Sequence, residues 1–267
     1  MRRVLTARCD RVLPHGPIDV ARQLSLFAVA YAGYELVRGI VGPGSGRAFA
    51  DATRIIDLER TLHVFVEPQV QQWVTGHAHW LLDLADWTYL NAHFALSVGA
   101  LTFIYLRRND SFYFVRNIFV IAMLIALVGY CVFPTAPPRL MTQWGFTDSI
   151  RQFTGVNVEQ GPSSVLLNPY AAVPSMHVCV ALMLGVPMSR LVHSRPARLL
   201  WRAYPAFIAF VVVVTANHYF TDVVLGALTA AVSALLADRL LDTDHREARE
   251  RGVHLPQGEM ADAANRP

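Results

Sequence analysis

The sequence contains no lysine: all 23 of its basic residues are arginine. Charge of either sign is scarce, at 16%, while hydrophobic residues make up 54% and the mean hydropathy is positive. Ordinary soluble domains are about one-quarter charged, so this balance excludes that class and points to a membrane protein. Cysteine is also rare. Two of the three, Cys131 and Cys179, lie in apolar runs and Cys9 precedes them all, so no disulfide framework is available and small apolar packing is expected. Internal repeats and low-complexity tracts are absent.

Long apolar runs are what the chain does have. A helix needs about 20 mostly apolar residues to cross a bilayer. Residues 87–106, 117–138, 160–189 and 203–221 carry no charge, and 223–237 is apolar directly after Asp222. A weaker run, 20–41, holds Arg22, Glu35 and Arg38, but its strongly apolar centre makes it a span as well, with the arginines snorkelling. Its late start argues against a cleaved signal peptide. The expectation is an all-α polytopic protein with six transmembrane helices. Between spans one and two, the helical spacing of Ile55, Ile56, Leu58, Leu62, Val66, Val70 and Trp73 predicts amphipathic helices on the membrane surface, packed on the bundle. Residues 1–17 form a basic arm, 18–242 the membrane domain, and 243–267 a charged tail expected to be disordered.

The arginines report orientation. Seventeen fall before or at the very start of the first span (Arg22), in the loops after the second and fourth, and in the tail; the other six fall between these, Arg38 at the end of the first span among them. The positive-inside rule puts both termini in the cytoplasm. The net charge of +3 therefore describes topology, and no nucleic-acid partner is expected.

Chemistry-bearing residues collect at the opposite ends of the spans. His218 stands four residues before Asp222, so both share a helix face. An aspartate that accepts one imidazole N–H leaves the other nitrogen free to attack. His177 follows Pro174, Ser175 and Met176 where an apolar helix begins, and a helix start offers unpaired N–H groups and a positive dipole end to a phosphate. Arg139, after Pro137 and Pro138, can clamp phosphoryl oxygens bidentately. Two histidines and an aspartate can also bind a metal, but the arginine and the helix start favour an anion, so neither metal nor organic cofactor is expected. His93 and Asn91 lie within span two, where His93 is either a functional group or an interhelical hydrogen-bond partner. Trp80, Trp87 and Tyr89 are read as an interfacial aromatic belt.

These residues resemble the motifs of the type 2 phosphatidic acid phosphatase superfamily, and more closely its branch containing inositol-phosphorylceramide synthase and sphingomyelin synthase. Pro137-Pro138-Arg139 is similar to the end of the first motif, Pro174-Ser175-Met176-His177 to the second, and His218-Tyr219 with Asp222 to the third. The resemblance implies that His218 is a nucleophile forming a phosphohistidine, that His177 protonates the leaving alkoxide, and that Asp222 orients His218. It implies a phosphate site at Arg139, Ser175 and Met176, with Asn217 and Tyr219 close by. The family's lysine before the first-motif arginine has no counterpart here, and Val211–Val214 stands where a Ser-Arg pair is usual. Those losses fit the synthase-like branch, and Arg151, Asn168, Tyr170 and His93 are accessory candidates. The expected activity is a metal-independent lipid-phosphate phosphatase or phosphotransferase of the plasma membrane, acting at the extracytoplasmic face. Its partners would be a lipid phosphate, the surrounding membrane lipids and an alcohol acceptor such as inositol. A catalytically inactive lipid-binding protein or transporter of the same fold is the alternative.

Overall fold

The computed structural model describes residues 16–40, 45–155 and 170–250. Among them the chain is helical, with no strand and an isolated parallel bridge between Thr135 and Ala171. In chain order the helices are α1 (Gly16–Ile40), α2 (Ser45–Thr61), α3 (Glu67–His77), α4 (His79–Trp87), α5 (His93–Arg107), α6 (Asn109–Val132), α7 (Ser149–Thr154), α8 (Met176–Leu191), α9 (Arg195–Val214) and α10 (Phe220–Glu250). A π-helical turn, Thr88–Ala92, joins α4 to α5 into one continuous rod.

Among the described residues, four helices are long and apolar enough to cross a membrane: His79–Arg107, Ser111–Val132, Arg195–Val214 and Phe220–Leu240. Six were expected. The two not among the four are α8, an apolar helix of 16 residues that reaches only about 24 Å at 1.5 Å per residue, and α1, which carries Asp19, Arg22, Glu35 and Arg38. The bundle turns apolar side chains outward: Phe94, Leu124, Val128, Leu199, Leu228 and Leu235 are all exposed. An outward apolar surface of this extent is what lipid, not water, would cover.

Helix α1 lies along α6. The rings of Phe27 and Phe119 meet at 5.2 Å. At the start of α1, Asp19 Oδ2 accepts hydrogen bonds from the hydroxyls of Tyr105 (2.8 Å) and Tyr113 (3.3 Å), and Gln23 Oε1 accepts one from Arg116 (3.1 Å). Thus α1 begins at the same end of the bundle as the arginine-bearing turn between α5 and α6.

Helices α2 and α3 bury polar as well as apolar side chains. Ile55 and Ile56 face inward, but Leu58, Leu62, Val66 and Trp73 are exposed, while Asp51, Glu59, Glu67 and Gln71 are buried. The pair packs on the segment after α6: Ala48, Ala52, Ile55 and Ile56 share an apolar cluster with Ala136, Met141, Phe146 and Tyr219.

Helix ends also differ from the apolar runs. The run 203–221 breaks at Val214. There the Thr215 hydroxyl bonds back to the carbonyl of Val211 (2.8 Å), and Ala216 takes a left-handed φ of +52°. The run 117–138 ends as a helix at Val132, since Pro134, Pro137 and Pro138 cannot continue it. Helix α10 extends to Glu250. Residues 1–15 and 251–267 lie outside the described residues.

Candidate active site

Helix ends converge opposite the arginine-bearing turns. The short segment between α9 and α10 carries His218 and is held at both ends. The carbonyl of Val212 accepts the N–H groups of Asn217 and His218, each at 3.0 Å, and Ala216 accepts the N–H of Arg139 at 2.8 Å. A left-handed, non-glycine residue just before a functional loop is a sparsely populated geometry that the surrounding contacts must maintain.

His218 and Asp222 are buried side by side at the start of α10. His218 Nδ1 lies 3.3 Å from Asp222 Oδ2, at the long end of hydrogen bonding, and the same oxygen accepts the N–H of Tyr219 at 3.0 Å. Pairing Nδ1 with the carboxylate leaves Nε2 as the nitrogen with a free lone pair. His177, one residue into α8, brings its ring centroid to 5.9 Å from that of His218, at an interplanar angle of 58°. Arg139 sits on a 3-10 turn, Pro138–Leu140, and its Nη1 donates to Asn217 Oδ1 at 2.8 Å; Asn217 in turn donates to Thr215 Oγ1 at 2.8 Å. Four residues from four chain segments are thus assembled, with Asn217 steering the guanidinium.

The two helix starts differ. In α10, three successive N–H groups are taken by carboxylates: Tyr219 by Asp222, Phe220 by Glu67 (2.9 Å) and Thr221 by Glu59 (2.7 Å). In α8, the N–H groups of the first turn have no helical acceptor. Beside them the Ser175 hydroxyl is fully buried and has no partner among the described residues. The Ser175 N–H bonds to the carbonyl of Asp222 at 3.1 Å, which ties α8 to α10. An anion would find open donors at Ser175 and Met176, not at the start of α10.

The accessory candidates separate. His93 is brought in: its ring lies 5.0 Å from that of His177, and its Nδ1 is 2.8 Å from the Tyr204 hydroxyl. Tyr219 is adjacent, but its ring is fully buried against Phe146 and its hydroxyl donates to the Ala136 carbonyl at 3.2 Å. Tyr170 packs edge-on against Phe49 at 6.3 Å. Arg151 is exposed on α7, and Asn168 lies outside the described residues. Asn91 is exposed and its amide donates to the Trp87 carbonyl at 3.3 Å, away from the cluster.

Sequence reasoning missed Tyr89, Tyr204, Glu59 and Glu67. Tyr89 is not part of a belt: it stacks on His177 with centroids 4.3 Å apart and planes at 22°. Trp80 and Trp87 remain exposed. Tyr89 and His93 are four residues apart and so share the helix face that meets His177; the π-turn Thr88–Ala92 lies between them, and such turns recur at functional sites. Among the described residues no group of three His, Cys, Asp or Glu side chains is arranged to hold a metal ion.

A family model described as the PAP2 superfamily matches residues 53–236, which take in every one of these groups. No curated protein and no solved structure matches the chain.

Proposed function

The chain belongs to the PAP2 superfamily, and from that premise we propose that it is an integral membrane lipid-phosphate phosphatase or phosphotransferase working through a phosphohistidine. The observation that carries this reading is the pairing of two imidazoles 5.9 Å apart, one backed by a buried carboxylate, beside an arginine fixed by an amide. His218 Nε2 attacks phosphorus while the P–O ester bond breaks opposite it. His177 gives its proton to the departing alkoxide. Water or an alcohol then attacks the phosphohistidine, returning a proton to His177 and freeing His218. Arg139, the Ser175 hydroxyl and the α8 N–H groups neutralise the phosphoryl oxygens, so positioning and electrostatics suffice without a metal.

A branch like the inositol-phosphorylceramide and sphingomyelin synthases, with an alcohol such as inositol as acceptor, is the finer reading. The missing cationic ligands before Arg139 and at Val211–Val214 support it. The test is purified protein with a panel of lipid phosphates, with and without inositol and EDTA, following phosphate release and new lipid products. Turnover that survives EDTA is expected. Turnover abolished by EDTA and restored by zinc would overturn the metal-free mechanism, and no turnover of any substrate would favour an inactive lipid-binding protein.

The six-span topology belongs to the same proposal, with α1 and α8 crossing beside the four long spans and both termini in the cytoplasm. The placement of the start of α1 by Tyr105, Tyr113 and Arg116 supports it. The site then opens to the extracytoplasmic face of the plasma membrane. In a background free of Cys9, Cys131 and Cys179, a Gln152→Cys variant is expected to react with a membrane-impermeant maleimide in intact cells, and a Ser194→Cys variant is not. The reverse pattern would move the reaction to the cytoplasm.

A further inference from the structure

Glu59 and Glu67 are almost completely buried, at 0% and 1% exposure, although no ion pair reaches either among the described residues. Burying carboxyls is unfavourable unless their oxygens are engaged. Their partners are two backbone groups more than 150 residues away: Oε1 of Glu67 accepts the N–H of Phe220 and Oε1 of Glu59 that of Thr221. Those are the two residues that lie between Tyr219 and Asp222. The N-terminus of α10 is therefore held locally by Asp222, which accepts the N–H of Tyr219, and from outside by residues at the end of α2 and the start of α3.

We propose that Glu59 and Glu67 are positioning residues of the phosphoryl-transfer site, a two-carboxyl clamp that fixes the first turn of α10 and so aims the His218–Asp222 pair at the phosphorus. The proposal rests on the reaction assigned above. Neither carboxyl touches the reacting atoms; each acts through the backbone that carries them.

The charge state of the clamp follows from its surroundings. Burial first, and the neighbouring Glu67 carboxyl second, push Glu59 up from 4.5 to about 8. At neutral pH Glu59 therefore keeps its proton beside the positive end of the α10 dipole. The titratable groups facing the pair are Tyr219 and Asp222, with His218 behind Asp222. Because the folded value of Glu59 is raised, its contribution is complete below about 4.5 and is lost as pH rises through about 8. Above that, Glu59 itself becomes charged beside Asp222 and the turn loosens.

Glu59→Gln keeps a carbonyl oxygen for Thr221, and its amide stands in for the protonated acid. Glu59→Ala removes the acceptor. With an aryl phosphate, whose departure needs little help from His177, the wild-type kcat is expected to fall as pH rises past about 8, and Glu59→Gln is expected to lack that fall. Glu59→Ala should lose about tenfold in kcat with KM little changed, the cost of one strong hydrogen bond read in the transition state. Hydrogen exchange of the peptide spanning 218–226 should speed up in Glu59→Ala and stay at the wild-type rate in Glu59→Gln. An unchanged kcat in Glu59→Ala, or an alkaline fall identical in wild type and Glu59→Gln, would overturn the clamp. Should the wild type turn over no phosphate, the reaction falls but the clamp is still judged by exchange, and an unaltered 218–226 rate in Glu59→Ala would remove it.

Discussion

His218→Gln is expected to abolish turnover on the order of 10⁴-fold or more, the scale of loss when a nucleophile is removed and only the electrostatics of the site remain. Glutamine is the informative replacement. His218 is only 5% exposed and Asp222 is fully buried, so alanine would leave a buried carboxylate with the Tyr219 N–H as its remaining partner. That confounds loss of chemistry with loss of fold. The glutamine amide can still donate towards Asp222 but cannot carry a phosphoryl group. The wild type should trap an acid-labile, base-stable phosphoryl label from a radiolabelled lipid phosphate, and His218→Gln should trap none. A labelled His218→Gln protein would move the nucleophile elsewhere. His177→Ala should behave differently, losing more on alkyl than on aryl phosphates, because an acid matters least when the leaving group is already a weak base. Equal losses on both would remove His177 from that role.

The four principal groups were legible because each stands at a boundary that the sequence marks: proline before Arg139 and His177, and the four-residue spacing from His218 to Asp222. Which residues support them was not. Tyr89 reads as an interfacial aromatic, and nothing in the sequence announces that its helix packs on the start of α8, where it stacks on His177. The apolar stretch Val211–Val214 gives no sign that the helix stops there; the stop is made by a hydroxyl bonding back and a left-handed Ala216. In α2 and α3 the helical spacing of apolar residues marks two faces, but not which of the two meets the bundle. A helix start next door needs acceptors, so Glu59 and Glu67 turn in, and Leu62 and Trp73 are left on the outside. Periodicity reports that a helix has two faces; it does not report which face meets protein when the other meets lipid.

Gly226→Ala is expected to remove activity while leaving the fold in place. Gly226 lies one turn after Asp222 on α10, where the helix presses against the start of α8. A Cβ there would run into the Ser175 carbonyl oxygen, with the Ser175 carbonyl carbon at 3.2 Å and Cβ at 3.3 Å. The obstacle is mainly backbone, so it cannot be relieved by a rotamer change. Ser175, Met176 and His177 must retreat from α10, and the 3.1 Å bond from the Ser175 N–H to the Asp222 carbonyl must stretch. Misplacement by about 1 Å costs on the order of 10²-fold in rate. The stability balance is closer, since overpacking costs about 1–3 kcal/mol while alanine gains roughly 1 kcal/mol over glycine within a helix. Gly185→Ala is the matched control. Its Cβ would meet the Trp201 carbonyl oxygen at 2.8 Å and Pro205 Cγ at 3.0 Å, a comparable clash between α8 and α9. It lies eight residues beyond His177, about 12 Å along the helix. Both variants should therefore lower Tm in detergent, but Gly185→Ala should spare kcat whereas Gly226→Ala should lower it. Equal kcat losses in the two variants would mean that general packing, and not the contact of α10 with Ser175, sets the rate.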